Sequence, residues 1–317
     1  MYMYKKLRVA VVIPAYNEEK LIAKTVTTLP DSIDYIIVVN DASTDNTLQV
    51  LKHLANEDDR LHVLDNERNK GVGGSLIRGF KFALSDTDVE AIGIAAGDAQ
   101  CDPAYIEPML DELIKHDLDY IKANRFFHRD ALKAMPAYRQ IGNIFISLLT
   151  KFSTGYYSIS DTQNSYGFFT RSILEQVNFD FVKERYDYEN TMLIALSIAG
   201  AKLKDHPVPA IYGDEVSTIK FLPTALRALR AVWVGFWQRI YYKYVLYSFH
   251  PIALFLFSGI FLGTLGTIYG LFIGYRKVFE HLSPSIGTVM LISLPLFLGF
   301  QLVLTAIMMD MGNEGRS

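Results

Sequence analysis

The sequence predicts an α/β fold built on a mostly parallel central sheet and followed by helical, apolar segments. Three events predict the sheet. The run VAVVIPAYNEE, from Val9, is β-branched up to Pro14 and then hands over to Asn17 and two acids. Tyr35 to Asn40 (YIIVVN) ends at Asp41 and opens into ASTDNT, and Val89 to Ala96 ends at Asp98 within GDAQCDP. Continuous apolar strands separated by helical stretches are the pattern of a parallel sheet buried on both faces. Such sheets bind ligands outside the carboxyl ends of their strands, so Asn17, Asp41 and Asp98 predict one polar site.

Taken in order, the first strand is followed by a helix expected over Glu18 to Leu29, with acids in its first turn where the helix dipole favours them. After the second strand, Ser43 or Thr44 is a candidate cap for a helix to about Leu54. Leu61 to Leu64 reads as a short strand, and NERNKGVGGSLIRGFKFAL as a turn leading into a helix from about Gly73. Pro103 stands near the start of the next helix, to about His116, and Leu118 to Ala123 is a further strand. Beyond Arg125 the pattern loosens until a helix over Glu189 to Ile198. Gly71-Val72-Gly73-Gly74 lacks the ending of a P-loop and the order of a dinucleotide fingerprint. It is either a tight turn that packs a helix on the sheet or a donor contact through Lys70 and backbone N–H groups.

A chain of 317 residues leaves room for one α/β domain of about 200 residues and something more. A mean hydropathy of +0.16 with ordinary charge content says that the apolar excess is concentrated, and it is concentrated beyond Pro251. Ile252 to Gly274 and Ile286 to Met309 carry no charge, and each exceeds the roughly 20 residues needed to cross a hydrocarbon core. Their Gly, Ser and Thr content suits close helix pairing in lipid. Lys220, Arg227, Arg230, Arg239 and Lys243 precede the first span, which by the positive-inside rule keeps the amino-terminal domain cytoplasmic. Between Pro223 and Phe249 these bases alternate with Trp233, Trp237, Tyr241, Tyr242 and Tyr244. That mixture suits a helix lying in the membrane interface, or alternatively a solvated helix with a core-facing aromatic stripe. The expected division is therefore 1–220, 221–250 and 251–317: a cytoplasmic domain, an amphipathic juxtamembrane segment and a transmembrane hairpin with a short tail.

The start, MYMYKKLR, does not read as a signal peptide, so the large domain is expected to stay on the cytoplasmic side. Cys101 is the single cysteine, in keeping with a reducing compartment. A net charge of −3 argues against a strongly basic nucleic-acid binder.

VVIPAYNEE, VVNDASTDNT, NKGVGGSLIRGF and GDAQCDP, in this order and spacing, resemble the nucleotide-sugar half of the family 2 glycosyltransferases with a GT-A fold. KANRFF, DTQNSYGFF, ERYDYENTMLIALSIAGAK and VPAIYGDEVSTIK are similar to the polyprenyl-phosphate (dolichol-phosphate) hexosyltransferase branch. The resemblance covers about the first 220 residues, and a pair of carboxy-terminal spans is common in that branch. It implies that Pro14, Ala15, Tyr16, Asn17, Glu18, Asp41, Lys70, Asp98 and Lys220 face the nucleotide sugar. It further implies that Arg125 and Arg139 bind the acceptor phosphate, with Asp161, Gln163 and Glu189 on the sugar or acceptor side. Asp98, Arg125 and Arg139 are the candidate catalytic residues.

A nucleoside diphosphate leaving group gathers negative charge and needs a cation beside it. Oxygen ligands suit Mg²⁺ or Mn²⁺. The family's Asp-x-Asp-x-Gln frame reads here Ala96-Gly97-Asp98-Ala99-Gln100, so Asp98 and Gln100 are the metal candidates and Ala96 replaces the first acid. That exchange weakens the expected hold on the ion unless Asp102 or the diphosphate completes the shell. Ser165 and Gly167 stand where a Gly and an Arg are more usual, and Lys220 is two residues out of the usual spacing.

The expected activity is inverting transfer of a hexose from a GDP- or UDP-sugar to a polyprenyl phosphate at the cytoplasmic face of a bilayer. The partners are then a nucleotide sugar, a lipid phosphate and the membrane, with no nucleic acid; a homo-oligomer stays open. Two other readings stand beside it: transfer to another lipid-linked glycan, and a non-catalytic membrane scaffold with a degenerate domain, for which Ala96 is the support.

Overall fold

A computed structural model describes residues 4–5, 7–125, 147–185, 187–209, 221–281 and 283–314. Contacts divide it into two compact units, one running to Phe236 and one spanning Trp237–Glu314.

The first unit is a seven-stranded sheet with helices on both faces. Strands β1 (Val9–Ala15), β2 (Tyr35–Asn40), β3 (Leu61–Asp65), β4 (Ala91–Ile94), β5 (Tyr120–Asn124), β6 (Gly167–Thr170) and β7 (Leu203–Pro207) lie in the order β3-β2-β1-β4-β6-β5-β7. Only β6 runs antiparallel to its neighbours, β4 and β5; the other pairings are parallel. The expected mostly parallel sheet is present. The strand order reverses between β1 and β4, because the chain leaves β1 toward β2 and β3 and then returns to β1's other side. In open α/β sheets that reversal marks the crevice where ligands bind.

The continuous apolar runs are explained by burial on both faces. Ala10 and Val12 of β1 enter one core with α3 (Gly71–Asp86), α5 (Arg171–Gln176) and α6 (Tyr188–Ile198). Val9, Val11, Ile13 and Ala15 enter the other with α1 (Ile22–Thr27), α2 (Thr47–Leu54) and α4 (Ile106–Lys115). Tyr120 and Phe169, neighbours in register on β5 and β6, stack with ring centroids 3.9 Å apart.

Two helix starts differ from expectation. The first helix begins at Ile22 rather than Glu18, and residues 19–21 form a turn. The second begins at Thr47, and neither Ser43 nor Thr44 caps it; the Ser43 hydroxyl and the Thr44 N–H are used across loops, as described below.

The second unit contains two helices long and apolar enough to cross a membrane, α8 (Pro251–Phe279) and α9 (Ile286–Gly312). Of their most apolar windows only 28% and 11% is buried, which a core hairpin of a soluble protein would not tolerate. They pair through small residues: a Cβ on Gly299 would come within 2.6 Å of Gly263 N and 2.7 Å of Gly259 O, the close approach expected in lipid.

Before α8, the helix α7 (Phe221–Arg239) passes into a π-helical stretch, Ile240–Tyr247. Arg239, counted among the bases of the juxtamembrane segment, is buried. Its guanidinium is doubly bonded to Asp310 of α9 (2.7 and 2.9 Å), and the Tyr244 hydroxyl donates to the same carboxylate. It is therefore no headgroup-facing cation. Trp233 and Tyr241 are exposed, whereas Tyr244 is buried.

Candidate active site

The carboxyl ends of β1, β2 and β4 meet as predicted. Ala15 pairs with Asn40, Asp41 N–H donates to Ala15 O (2.8 Å), and a Cβ on Gly97 would lie 3.0 Å from Pro14 O. Each end is followed by a non-glycine residue in the left-handed region: Asn17 (φ 58), Ala42 (φ 56) and Ala99 (φ 58). Such backbone costs about 1 kcal/mol or more per residue and persists where the surroundings enforce it.

The enforcement is visible between the first two ends. Asn17 N–H donates to Ser43 Oγ (3.0 Å), and Asn17 Oδ1 accepts Thr44 N–H (2.8 Å). Glu18 N–H donates to Thr47 Oγ1 (2.8 Å), and Glu19 Oε2 accepts Asn46 N–H (3.1 Å). Asn17 is thus a loop-to-loop brace, while Tyr16 is exposed at the mouth.

Asp41 is buried and accepts Lys70 N–H and Asn66 Nδ2–H on one oxygen and Gly71 N–H on the other, each at 2.8 Å. Its carboxylate therefore sits on the amino terminus of α3, where unpaired N–H groups and the helix dipole favour a negative charge. The glycine run serves close packing. A Cβ on Gly73 would fall 2.3 Å from Lys183 O, and Gly74 N–H donates to Glu184 O (2.9 Å). The packing role is thus present in this turn, and Asp41 engages the backbone N–H groups of Lys70 and Gly71.

At the end of β4, Asp98 Oδ1 accepts Gln100 N–H (3.0 Å), and Asp98 is half-buried. The cap of the following helical turn is Asp102, whose Oδ1 accepts Ala104 N–H (3.0 Å), so Asp98 has no capping duty. Among the described residues no three acidic, His or Cys side chains form a ready-made cation cage. Asp98 and Gln100 offer the hard oxygens that Mg²⁺ and Mn²⁺ take. Those ions are commonly held by one or two carboxylates with the rest of the shell from substrate phosphate, so the pair fits. Cys101, in this loop, is partly buried, and desolvation pushes its thiol up to about 12, leaving it protonated.

The opposite wall begins at β5. Ile94, Gly167 and Lys122 are level across β4, β6 and β5. Asp98 and Arg125, four and three residues farther along parallel strands, thus emerge at the same sheet edge. Arg125 is clamped by fully buried Asp161: Nε to Oδ2 at 2.8 Å, Nη2 to Oδ1 at 3.1 Å, and Arg125 N–H to Oδ2 at 3.2 Å. The Asp161 carboxylate fixes the guanidinium plane, and the side chain is 40% exposed. Burial alone would raise the Asp161 pKa, but the Arg125 hydrogen bonds and the Lys122 charge more than offset it and hold the carboxyl below its ordinary range.

Around this pair lie two groups the sequence did not single out, Lys122 and Asp205, beside Glu189 and Gln163, which it did. Lys122 is 1% exposed; burial lowers its pKa against the opposing pull of Asp161, Asp205 and Glu189. Asp205 of β7 accepts Asn124 Nδ2–H (2.9 Å) and Ser160 N–H (2.7 Å). Burial raises both Asp205 and Glu189. Gln163 Nε2–H donates to Asn190 Oδ1 (3.0 Å), which ties the 161–166 loop to α6. Gly167 cannot carry a side chain, because a Cβ would lie 2.2 Å from Ile121 O; this excludes the arginine more usual there. The sequence signal for Lys122 was a lysine inside an otherwise apolar strand, YIKAN. Arg139 and Lys220 lie outside the described residues.

The model of glycosyl transferase family 2 matches residues 10–177. The chain is 30% identical over 216 residues to UDP-N-acetylglucosamine–dolichyl-phosphate N-acetylglucosaminyltransferase of Methanococcus voltae, covering 64% of this chain and 85% of that protein. It is 24% identical over 205 residues to undecaprenyl-phosphate mannosyltransferase of Micrococcus luteus, covering 64% and 83%. Among solved structures, glucosyl-3-phosphoglycerate synthase of Mycobacterium tuberculosis in complex with uridine diphosphate superposes with a TM-score of 0.55 at 16% identity, covering 73% of this chain and 81% of that one. The same enzyme with Mn²⁺, UDP-glucose and phosphoglyceric acid gives 0.54. The likeness shows the fold, and it is the GT-A fold expected from the motifs.

Proposed function

The chain belongs to glycosyl transferase family 2 and is a glycosyltransferase, and from that premise we propose that it transfers a hexose, with inversion, from a GDP- or UDP-sugar to a polyprenyl phosphate of the dolichyl or undecaprenyl type. The observation that carries the reading is that Asp98, a cation-binding oxygen site, and Arg125, a clamped guanidinium, emerge at the same end of the sheet. Relatives named for dolichyl and undecaprenyl phosphate, matched over most of their length, support the acceptor class.

A phosphate monoester is largely doubly ionised near neutral pH, its second pKa being about 6. The acceptor oxygen is therefore already a nucleophile, and the protein's task is placement. Arg125, joined by Arg139, binds that phosphate; Asp161 fixes the guanidinium so that little freedom is lost on binding. Pro14, Ala15, Tyr16, Asn17, Glu18, Lys70 and Lys220 line the nucleotide side, and Asp41 shapes it by holding α3. Asp98 and Gln100 would hold a divalent cation, Mg²⁺ or Mn²⁺, whose chemistry there is neutralisation of the leaving diphosphate. Gln163 and Glu189 face the sugar. Residues 221–250 then act as an interfacial segment and 251–317 as a membrane hairpin. Arg230 and Lys243 favour a cytoplasmic catalytic domain.

The test is transfer by the detergent-purified chain from labelled GDP- and UDP-sugars to a polyprenyl monophosphate, with Mg²⁺, Mn²⁺ or chelator. A lipid product from one donor is expected, falling about 10²- to 10³-fold in Asp98→Ala with an unchanged melting temperature. Nucleotide binding without any product would favour the scaffold reading, for which Ala96 speaks.

A further inference from the structure

Below the Arg125–Asp161 pair, a narrow cavity opens between β5, α6 and the 162–165 loop, lined among others by Lys122, Thr162, Ser165, Tyr188 and Glu189. Two of its groups are buried polar atoms without a hydrogen-bond partner: Lys122 Nζ and the Tyr188 hydroxyl, each on a side chain 1% exposed. A buried ammonium with no acceptor is costly, and a methionine of similar length would fill the same space without that cost. A second orphan in the same small space makes packing an insufficient account of either.

The surroundings specify what is missing. Asp161, Asp205 and Glu189 all act on Lys122 electrostatically, and Arg125 is the neighbouring cation. Counter-charge is plentiful, so the group that completes the site is a neutral acceptor and not an anion. The accessible volume is ≈ 10 Å³, room for about one oxygen atom and too little for an acetamido group. A hydroxyl carries one donor and two acceptor lone pairs. It can accept from Lys122 and Tyr188 while donating to Glu189.

We propose that this cavity is a specificity subsite for the donor: it takes one free ring hydroxyl of the transferred hexose, bound by Lys122, Tyr188 and Glu189, and rejects donors in which that hydroxyl is missing or acylated. The inference rests on the transferase reading and deepens it. A site built to hydrogen-bond a hydroxyl discriminates strongly against analogues that lack it, because its own buried groups are then left unpaired.

Titration calorimetry tests it without relying on turnover. UDP and GDP are the reference ligands, and UDP-glucose, GDP-mannose and their mono-deoxy analogues are the probes, with Lys122→Met and Tyr188→Phe as variants. Both variants are expected to bind the nucleoside diphosphate as the unaltered protein does and the intact donor about 10- to 100-fold more weakly. Among the deoxy donors, one should bind the unaltered protein correspondingly weakly and lose that handicap in the variants. Tyr188→Phe removes a single oxygen and carries the test if Lys122→Met does not fold. Donor selectivity unchanged in the variants, with nucleotide binding intact, would overturn the subsite alone and leave an ordered water as the occupant of the cavity. Failure of the unaltered protein to bind either nucleotide would overturn the GDP- or UDP-sugar reading of the donor, and the subsite with it.

Discussion

The two walls of the site are built on opposite principles. On the β1–β2 wall the polar groups answer one another: Asn17 braces Ser43 and Thr44, Glu19 holds Asn46, and Asp41 is spent on the N–H groups of Lys70 and Gly71. Asn40 Oδ1 is the exception. On the β5–β6 wall, charged side chains are buried and incompletely satisfied, with orphan atoms on Lys122, Tyr188 and Asp205. A self-satisfied wall is a mould whose shape is fixed before a ligand arrives. An unsatisfied wall holds its stabilisation in reserve for whatever completes it.

Breaking the second wall should have the larger consequences. Asp161→Asn takes one of the two acceptor oxygens from the Arg125 clamp and removes a counter-charge from Lys122. Loss of a buried partner costs about 3–5 kcal/mol; with Arg125 half open to solvent, about 2–3 kcal/mol is expected in urea unfolding, together with at least about a 10²-fold loss of transfer. If stability fell without loss of activity, Arg125 would not need its clamp and the contrast would collapse.

On the first wall, Asp41→Asn trades a charged cap on α3 for an amide that cannot accept equally on both atoms. About 1–2 kcal/mol of stability should be lost, with bound-sugar selectivity unchanged. Gly73→Ala places a methyl against Lys183 O and should cost about 1–3 kcal/mol; an equal loss in Gly73→Ser would confirm size rather than polarity as the cause.

The smallest effect is on pH, and it lies within the second wall. Asp161 titrates below its unfolded value, so its contribution is present above about pH 4 and is lost as pH falls through the folded pKa. Glu189 and Asp205 are raised, so stability declines as pH climbs from about 4 through their folded values. Stability measured against pH should therefore peak on the acid side of neutrality, and Glu189→Gln should flatten the alkaline limb while leaving the acid limb in place.

The first wall was legible in the sequence because strands buried on both faces are written as unbroken β-branched runs. Tyr35–Asn40 is found at its predicted limits, and the polar residues that follow each run mark the site directly. Helix starts were less legible. Ser43 and Thr44 have the chemistry of caps, yet the left-handed turn at Asn17 brings a competing partner within reach, and no local signal reports a neighbour 26 or 27 positions away. On the second wall Arg125, Asp161 and Glu189 were visible as motif members. Their setting was not. Asp205 reaches Asn124 across 81 positions, and β7, LKDHP, has neither the alternation nor the apolar run that announces a strand.

The buried pair of Arg239 and Asp310 imposes an order in time. The two residues are 71 positions apart, so at roughly 5–20 residues per second the arginine waits several seconds on the ribosome's side before its acid is made. During that interval Arg239 has no Asp310 to pair with, and an unpaired guanidinium is least costly in water. The pair can close only after the second apolar helix has been made almost to its end, a latch set by the order of synthesis.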